Sequence, residues 1–599
     1  MKIRKGPIVI ALAVAAFFGV KYIYSTGAID SVVPRAVKQP SSVPPVASLP
    51  DLPTASGGVM AQPATTPMAS TSPSSSKEVR FEVWAWNGQI ALLLANGGQL
   101  TTSDSLMTKH GVNNLKILRQ DDTNQMQTNL IACAKELSSG AANCRNGTHF
   151  IVIMGDQAAA FFAGINPQLK KICSDCYTRV VDILGRSNGE DKFMGLPEWK
   201  DNPQSARGAL IAGAVKEGDW NIALKWAGDN GIQNNPDFTT YDPDALNWVN
   251  GTYVEAADKY VAGYCETRTM IKNGKRTGEK KNVCVNGVVT WTPEDVKIAE
   301  NRGGLISIVS TKSQGYRSQM PAVVIGIHKF MKENRTLVEG MIAASAEAGD
   351  QIKNSRAALK KAAEISAKVY KEKNADYWMK YYDGTVERDK QGLMVELGGS
   401  AAAGFADRVQ WFGLAPGTAN LYGITYKVFG DIVVQQYPQD VPEYPQLSET
   451  LDTSYVKNVL AKTTQMAKAD LPTYSPEDKV KSVVSRKAIH INFETGKSSF
   501  TPEAREQLEN IFNQLVLTGL VVEIEGHTDS TGSREVNMDL SRRRAQAVKS
   551  YLEQNSPVNF PTGRVRVKYF GPDKPAADNY SEAGRAQNRR VEIVMGSTE

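Results

Sequence analysis

The chain has five histidines in 599 residues, and one of them, His527, stands two residues before Asp529 in the stretch IEGHTDSTGS (524–533). A histidine and a carboxylate so spaced suit metal ligation or acid–base chemistry. A metal wants three or more ligands and a second shell. The nearby Glu523 and Glu525 lie along a strand-like run with no second histidine close by, so His527 reads as a structural residue at a strand end. Attention moves to the helix that starts near Arg534. Leu540, Ala547, Val548 and Tyr551 form one stripe on it, and Arg544 falls on the same stripe, whereas Arg542 and Arg543 point elsewhere. An arginine on an apolar stripe is costly unless a carboxylate meets it. Asp529, in the Gly- and Ser-containing loop before the helix, is placed to do so, and the loop and helix start offer backbone N–H groups to an anion. Two readings stay open from the residues alone. One is a structural Asp529–Arg544 ion pair; the other is a pocket for a zwitterion, with Asp529 on an ammonium and Arg544 on a carboxylate.

The elements that would position these residues alternate in type. AIHINFETGKSSF reads as a strand through Ile489, Ile491 and Phe493. TPEAREQLENIFNQLVLTG follows as a helix, with Thr501 as N-cap, Pro502 at its first position and Gly519 at its stop. Next come the strand LVVEIEG, the helix REVNMDLSRRRAQAVKSYLEQ and the strands RVRVKYF and RRVEIVM. This is a compact α+β sandwich, assigned to 479–599.

Upstream, EVRFEVWAW, NLKILRQ, THFIVIMG, TRVVDILGR and GLISIVST read as strands, PQSARGALIAGAVKEG and PEDVKIAENRG as helices, and 319–375 as mostly helical. Strands alternating with helices predict an α/β unit with mainly parallel sheets over 78–440, large enough for two lobes and a cleft. The Pro-containing stretch YPQDVPEYPQLSET opens an expected linker, 441–478. Cys133 with Cys144, Cys173 with Cys176, and Cys265 with Cys284 form close sequential pairs that read as local disulfides of an oxidising compartment. CSDC could serve zinc, but no second ligand pair has zinc-site spacing.

The N-terminus carries Lys2, Arg4 and Lys5, then an uncharged run from Gly6 to Val20. We read 1–6 as cytoplasmic, 7–24 as a transmembrane signal anchor and 25–77 as a disordered Pro/Ser/Thr-rich linker, with a cleaved signal peptide as the rival. The bulk of the chain is thus expected in the periplasm, on a single-pass inner-membrane anchor. A net charge of +6, modest and spread along the chain, argues against a nucleic-acid surface.

The string GHTDSTGSREVNMDLSRRRAQAVKSYL, followed by NRRVEIVM, resembles the OmpA-like peptidoglycan-binding domain over about 480–597. The resemblance implies a clamp on the diaminopimelate of a wall stem peptide. It implies that Asp529 and Arg544 hold the ligand, that Asn537 is the loop asparagine, and that Thr528, Leu540 and Arg589 line or support the pocket. YFGPDKP departs from the family's G-Y-G-E-x-x-P, with Tyr569 for the first glycine and Pro572 for the glutamate.

The upstream region resembles two-lobed, type II periplasmic solute-binding proteins of the phosphate or sulfonate type. The segments that carry this are GEDKFMGLPEWKDNPQSARGALIAGAVKEGDWNIALKWAGDNGIQNNPD and ISIVSTKSQGYRSQMPAVVIGIHKFMKEN. Ligands of such folds sit at strand carboxyl ends and helix N-termini. That implies Asp122, Thr123, Asp156, Gln157, Ser187, Asn188, Ser310 and Thr311 as candidates for a small anionic or polar solute, against ordinary turn and cap chemistry. GRSNGED lacks the G-K-S/T of a nucleotide loop and no G-x-S-x-G elbow has a histidine partner, so neither enzyme, cofactor nor metal is expected. The expected function is a membrane-anchored wall-binding tether or sensor. The alternative is a solute-binding component of a transport or stress-response system, with wall binding only for positioning.

Overall fold

The computed structural model describes residues 78–463, 469, 471–489 and 498–598. The expected anchor and N-terminal linker, and Ile491 and Phe493 of the expected strand, lie outside the described residues. Among those described, no helix is long and apolar enough to cross a membrane. Backbone contacts divide the chain into a unit that runs to Leu471 and a unit that begins at Pro472.

The upstream unit is built on two sheets. The first has six strands in the order 400–402, 178–187, 321–327, 150–154, 79–83 and 115–119. The second runs 306–310, 192–195, 275–290, 210–213, 245–250 and 233–234, with 265–272 and 240–241 attached. The chain passes between the sheets along 178–187 to 192–195 and again along 306–310 to 321–327, which makes two lobes joined by paired crossings.

Both sheets are mixed rather than mainly parallel. Strand Pro321–Ile327 runs antiparallel to both its neighbours, and Lys192–Gly195 to both of its own. Two segments read as helical are strands for one physical reason. ALIAG and PAVVIGI are short apolar runs, and buried on both faces they carry no period that separates strand from helix. Leu210–Gly213 lies between two parallel partners, and Pro321–Ile327 is buried along its whole length. Beyond it the chain is helical as expected, over 328–333, 335–354 and 356–370. The segment expected as a linker also belongs partly to this unit. Helices Leu447–Thr450 and Ser454–Ala461 form there, and Leu451 bridges to Val180. All three expected disulfides are present, Cys133–Cys144, Cys173–Cys176 and Cys265–Cys284.

The C-terminal unit is a four-stranded sheet in the order 482–489, 591–597, 521–527 and 565–571. Helix Pro502–Leu517 is capped by Thr501, whose side chain accepts from the Ala504 N–H, with Pro502 in its first turn. The long helix Arg534–Asn555 packs on strands Val521–His527 and Val565–Gly571. It buries Asn537, Ser541, Arg544, Ala545, Val548 and Leu552, while Leu540 and Tyr551 stay half-buried. The buried stripe is therefore rotated toward polar residues. The cause is close approach: a Cβ on Gly526 would stand 2.2 Å from the Ser541 backbone oxygen. Gly526→Ala should cost the C-terminal unit about 1–3 kcal/mol by this overpacking; faster hydrogen exchange of strand 521–527 would register it.

Candidate functional site

The strand pairing explains how distant motifs meet. Gly526 lies opposite Val591, and the His527 N–H donates to the Arg590 carbonyl at 3.0 Å, so the HTD turn emerges beside the start of the last strand. Asn588, fully buried, holds the neighbouring loop. Its Oδ1 accepts from the N–H groups of Ala576 and Ala577, and its Nδ2 donates to Asn579 Oδ1, which in turn accepts from the Ser530 N–H at 3.1 Å.

Asp529 is 8% exposed, and its Oδ2 accepts from Arg589 Nη1 at 2.8 Å while its Oδ1 accepts from the Thr531 N–H at 2.9 Å. Burial, the largest influence, pushes its pKa up, but these hydrogen bonds outweigh it and hold the carboxyl below its usual range. Arg544 is 7% exposed, with its pKa depressed first by burial and then by the Arg589 charge, and supported by Asp529. One carboxylate thus serves two guanidinium groups, and the hydrogen-bonded partner is Arg589, sixty residues away, rather than Arg544. Glu582 holds the other side of Arg589 at 2.6 Å.

Around this pair, Asn537 Nδ2 donates to the Thr531 carbonyl at 3.0 Å and fixes the loop to the helix. The Thr528 hydroxyl is buried with no hydrogen-bond partner among the described residues, and Leu540 is half-buried. The loop amides are largely committed: those of Thr528, Ser530 and Thr531 donate to Gly571, Asn579 and Asp529. The expected help of this loop's backbone to an anion is correspondingly reduced. In the divergent YFGPDKP loop, Phe570 stacks on His527 and Lys574 covers the Phe570 ring at 3.7 Å.

His527 is 2% exposed, and burial followed by the Arg590 charge pushes its pKa down to about 4. Ligand atoms of Glu525, His527 and Glu592 lie within 4.8 Å of one another, a grouping that sequence reasoning missed because Glu592 arrives from another strand. Arg590 Nε already donates to Glu592 at 2.7 Å and fills the cationic role there.

The upstream candidates separate into two groups. Asp122, Thr123 and Gln157 line a cleft of about 490 Å³ together with Glu217 and Tyr253. Asp122 also caps helix Thr123–Ser138, and Thr123 donates to Glu217 at 3.1 Å. Asp156 is buried behind them. Ser187, Asn188, Ser310 and Thr311 instead knit the interlobe crossings. The Ser187 and Thr311 hydroxyls are bonded to each other, the Gly189 N–H donates to Thr311, Asn188 accepts from Arg186, and Ser310 accepts from the Lys312 N–H. Their roles are turn chemistry. Trp84, Trp86, Asp191 and Asp219 escaped sequence reasoning, although EVWAW, NGED and EGDW all sit at strand or helix ends.

Taken together, the chain carries a four-stranded α/β C-terminal domain that follows, in sequence, a two-lobed α/β unit. Residues 492–589 match the OmpA family. The peptidoglycan-associated lipoprotein of Pseudomonas aeruginosa is 40% identical over 103 residues, which cover 17% of this chain and 58% of that protein. The outer-membrane lipoprotein YfiB of the same species is 37% identical over 95 residues, covering 16% and 55% respectively. The chain therefore spans little more than half the length of these relatives. Among solved structures, the periplasmic nitrate-binding protein NrtA from Synechocystis PCC 6803 aligns over 66% of this chain and all of its own, at 12% identity and a TM-score of 0.38. The peptidoglycan-associated lipoprotein from Burkholderia pseudomallei aligns over 20% of this chain and 93% of its own, at 26% identity and a TM-score of 0.16.

The depressed His527 pKa has a defined sign. Unfolded, a histidine takes its proton near pH 6.5, whereas folded His527 stays neutral down to about pH 4. Its contribution is fully present above pH 6.5 and is lost as pH falls from there to about 4, on the order of 2 kcal/mol in all. Exchange protection of strand 521–527, corrected for intrinsic rates, should fall across that window, and His527→Gln should flatten the fall.

Proposed function

We propose that this protein holds peptidoglycan non-covalently through its C-terminal unit, as a cell-envelope tether or sensor attached to the inner membrane by residues 7–24 and a linker over 25–77. Asp529 takes the ammonium of a diaminopimelate side chain and Arg544 takes its carboxylate. The observation that carries this reading is the shared carboxylate: Asp529 is nearly buried, negatively charged, and set between Arg589 and Arg544.

A zwitterion suits that arrangement. Its ammonium replaces the Arg589 contact on Asp529, and its carboxylate meets the Arg544 guanidinium, which lies buried beside a second cation. Arg589 can swing out because its side chain is 38% exposed and Glu582 holds its other face. Asn537 keeps the loop at the right height, while Thr528 and Leu540 wall the pocket. The role is binding, not catalysis. The upstream unit carries a solute, a reading favoured by the cleft beside Gln157, Glu217 and Tyr253.

Asp529→Ala and Arg544→Ala should each reduce retention on purified diaminopimelate-type sacculi at least about tenfold, the loss expected for about 1.4 kcal/mol. Arg589→Ala should reduce it less, since the ligand's ammonium takes over the carboxylate. Unchanged retention in the first two variants would refute the clamp.

A further inference from the structure

Beneath the cleft, loops leaving both sheets bring three aspartates and four aromatic rings into one buried patch. Trp84 and Trp86 follow strand 79–83, Asp156 follows strand 150–154, and Asp191 lies on the crossing between 178–187 and 192–195. Asp219 and Tyr253 stand in the first turns of helices 218–229 and 253–261, and Trp291 follows strand 275–290. Each of the seven is at most 2% exposed.

No well-formed hydrogen bond reaches the carboxylate oxygens of Asp191 and Asp219 or Oδ1 of Asp156 among the described residues, although the Ser187 hydroxyl, the Trp86 indole and the Asp219 carboxyl lie near enough to Asp191 to lower its pKa. Leaving such groups buried without partners costs several kcal/mol each. Burial raises the pKa of all three, Asp156 to about 7, and the Asp191 charge raises Asp219 and Asp156 further. Lys192, the cation that bears on Asp191 and Asp219, has its ammonium hydrogen-bonded to Asp295. The patch thus gathers three acidic groups whose charge is only loosely matched by the side chains around it.

Among the described residues, ligand atoms gather closely enough for one ion at two other places, and these aspartates are not among them. The rings supply the rest of the character. Trp84 stacks on Trp291 at 5.7 Å and lies 6.1 Å from Tyr253 and 6.2 Å from Trp86. Aromatic faces attract cations, and carboxylates accept N–H donors. Tyr253 feels the charges of Asp156, Asp191 and Asp219 and also lines the 490 Å³ cleft, so it joins the patch to an opening.

We propose that this patch binds a small organic cation bearing N–H donors, a primary ammonium or a guanidinium, held by Asp191, Asp219 and Asp156 with its apolar part against Trp84, Trp86 and Tyr253. The inference rests on the reading that the upstream unit carries a solute, names its class, and is separate from the wall clamp. Of the expected anionic or polar solute it keeps the polar class and sets aside the anion, which would meet three carboxyl groups. A quaternary ammonium would leave the carboxylate oxygens without donors.

The test titrates the full-length chain, purified in detergent, with 1,4-diaminobutane, agmatine, choline, nitrate and phosphate, following tryptophan fluorescence and the thermal midpoint. Diaminobutane or agmatine should bind saturably and raise the midpoint. Asp191→Asn and Asp219→Asn should each weaken that binding at least about tenfold. These isosteric changes relieve like-charge repulsion, so the ligand-free midpoint should hold or rise; a fall would mark the aspartates as structural and overturn the proposal. Amine binding equal in the variants would overturn it too, as would saturable binding of choline, nitrate or phosphate without the amines, although solute binding itself would then stand. No response to any probe removes both readings, while sacculus retention of the same sample reports separately on the wall clamp.

Discussion

Asp529 has two positively charged neighbours and little access to water, and the C-terminal unit is arranged to keep it so. Strand 521–527 must end where strand 591–597 begins, because that register brings Arg589 to the carboxylate. Helix 534–555 must lie close enough to bring Arg544 to the same place, and Gly526 permits that approach to Ser541. Asn588 fixes the loop through Asn579 and Ser530. An ion pair of this exposure contributes about 1 kcal/mol or less to stability. Its importance lies in a balance of charge that a zwitterionic guest can re-form with one group of each sign.

The upstream unit shows the same logic with the charge unbalanced. Its lobes are tied by crossings whose serine and threonine hydroxyls are bonded to one another and to backbone amides. The aspartates of the buried patch are held less firmly, with no well-formed hydrogen bond to the carboxylate oxygens of Asp191 and Asp219 among the described residues. Native folds pair their buried polar groups, and departures concentrate where a ligand completes the pairing. The proposed guests of the two units differ accordingly, a zwitterion for one and a cation for the other.

The sequence revealed most where chemistry was compact. Thr501 and Pro502 announced a helix start, cysteine spacing announced three bridges, and the HTD and NRRVE strings announced the match to the OmpA family. It was less informative where contacts join distant segments. Asp529 and Arg544 belong to one continuous motif that reads as an ion pair or as two sides of a ligand site, whereas Arg589 reaches the carboxylate through strand pairing that no local spacing encodes. PAVVIGI and ALIAG concealed two strands because uniformly apolar runs fit either state. The aspartates and tryptophans of the upstream patch come from five separate segments, so each looked ordinary alone.

The most direct test of the clamp observes its guanidinium groups. With arginine side chains labelled with 15N, a muropeptide containing meso-diaminopimelate should shift the Nε–H resonances of Arg544 and Arg589 together, because its carboxylate meets one while its ammonium displaces the other. The matching lysine-containing peptide lacks that second carboxylate and should leave Arg544 unmoved. Equal responses to the two peptides, or a diaminopimelate response that bypasses Arg544, would contradict the account.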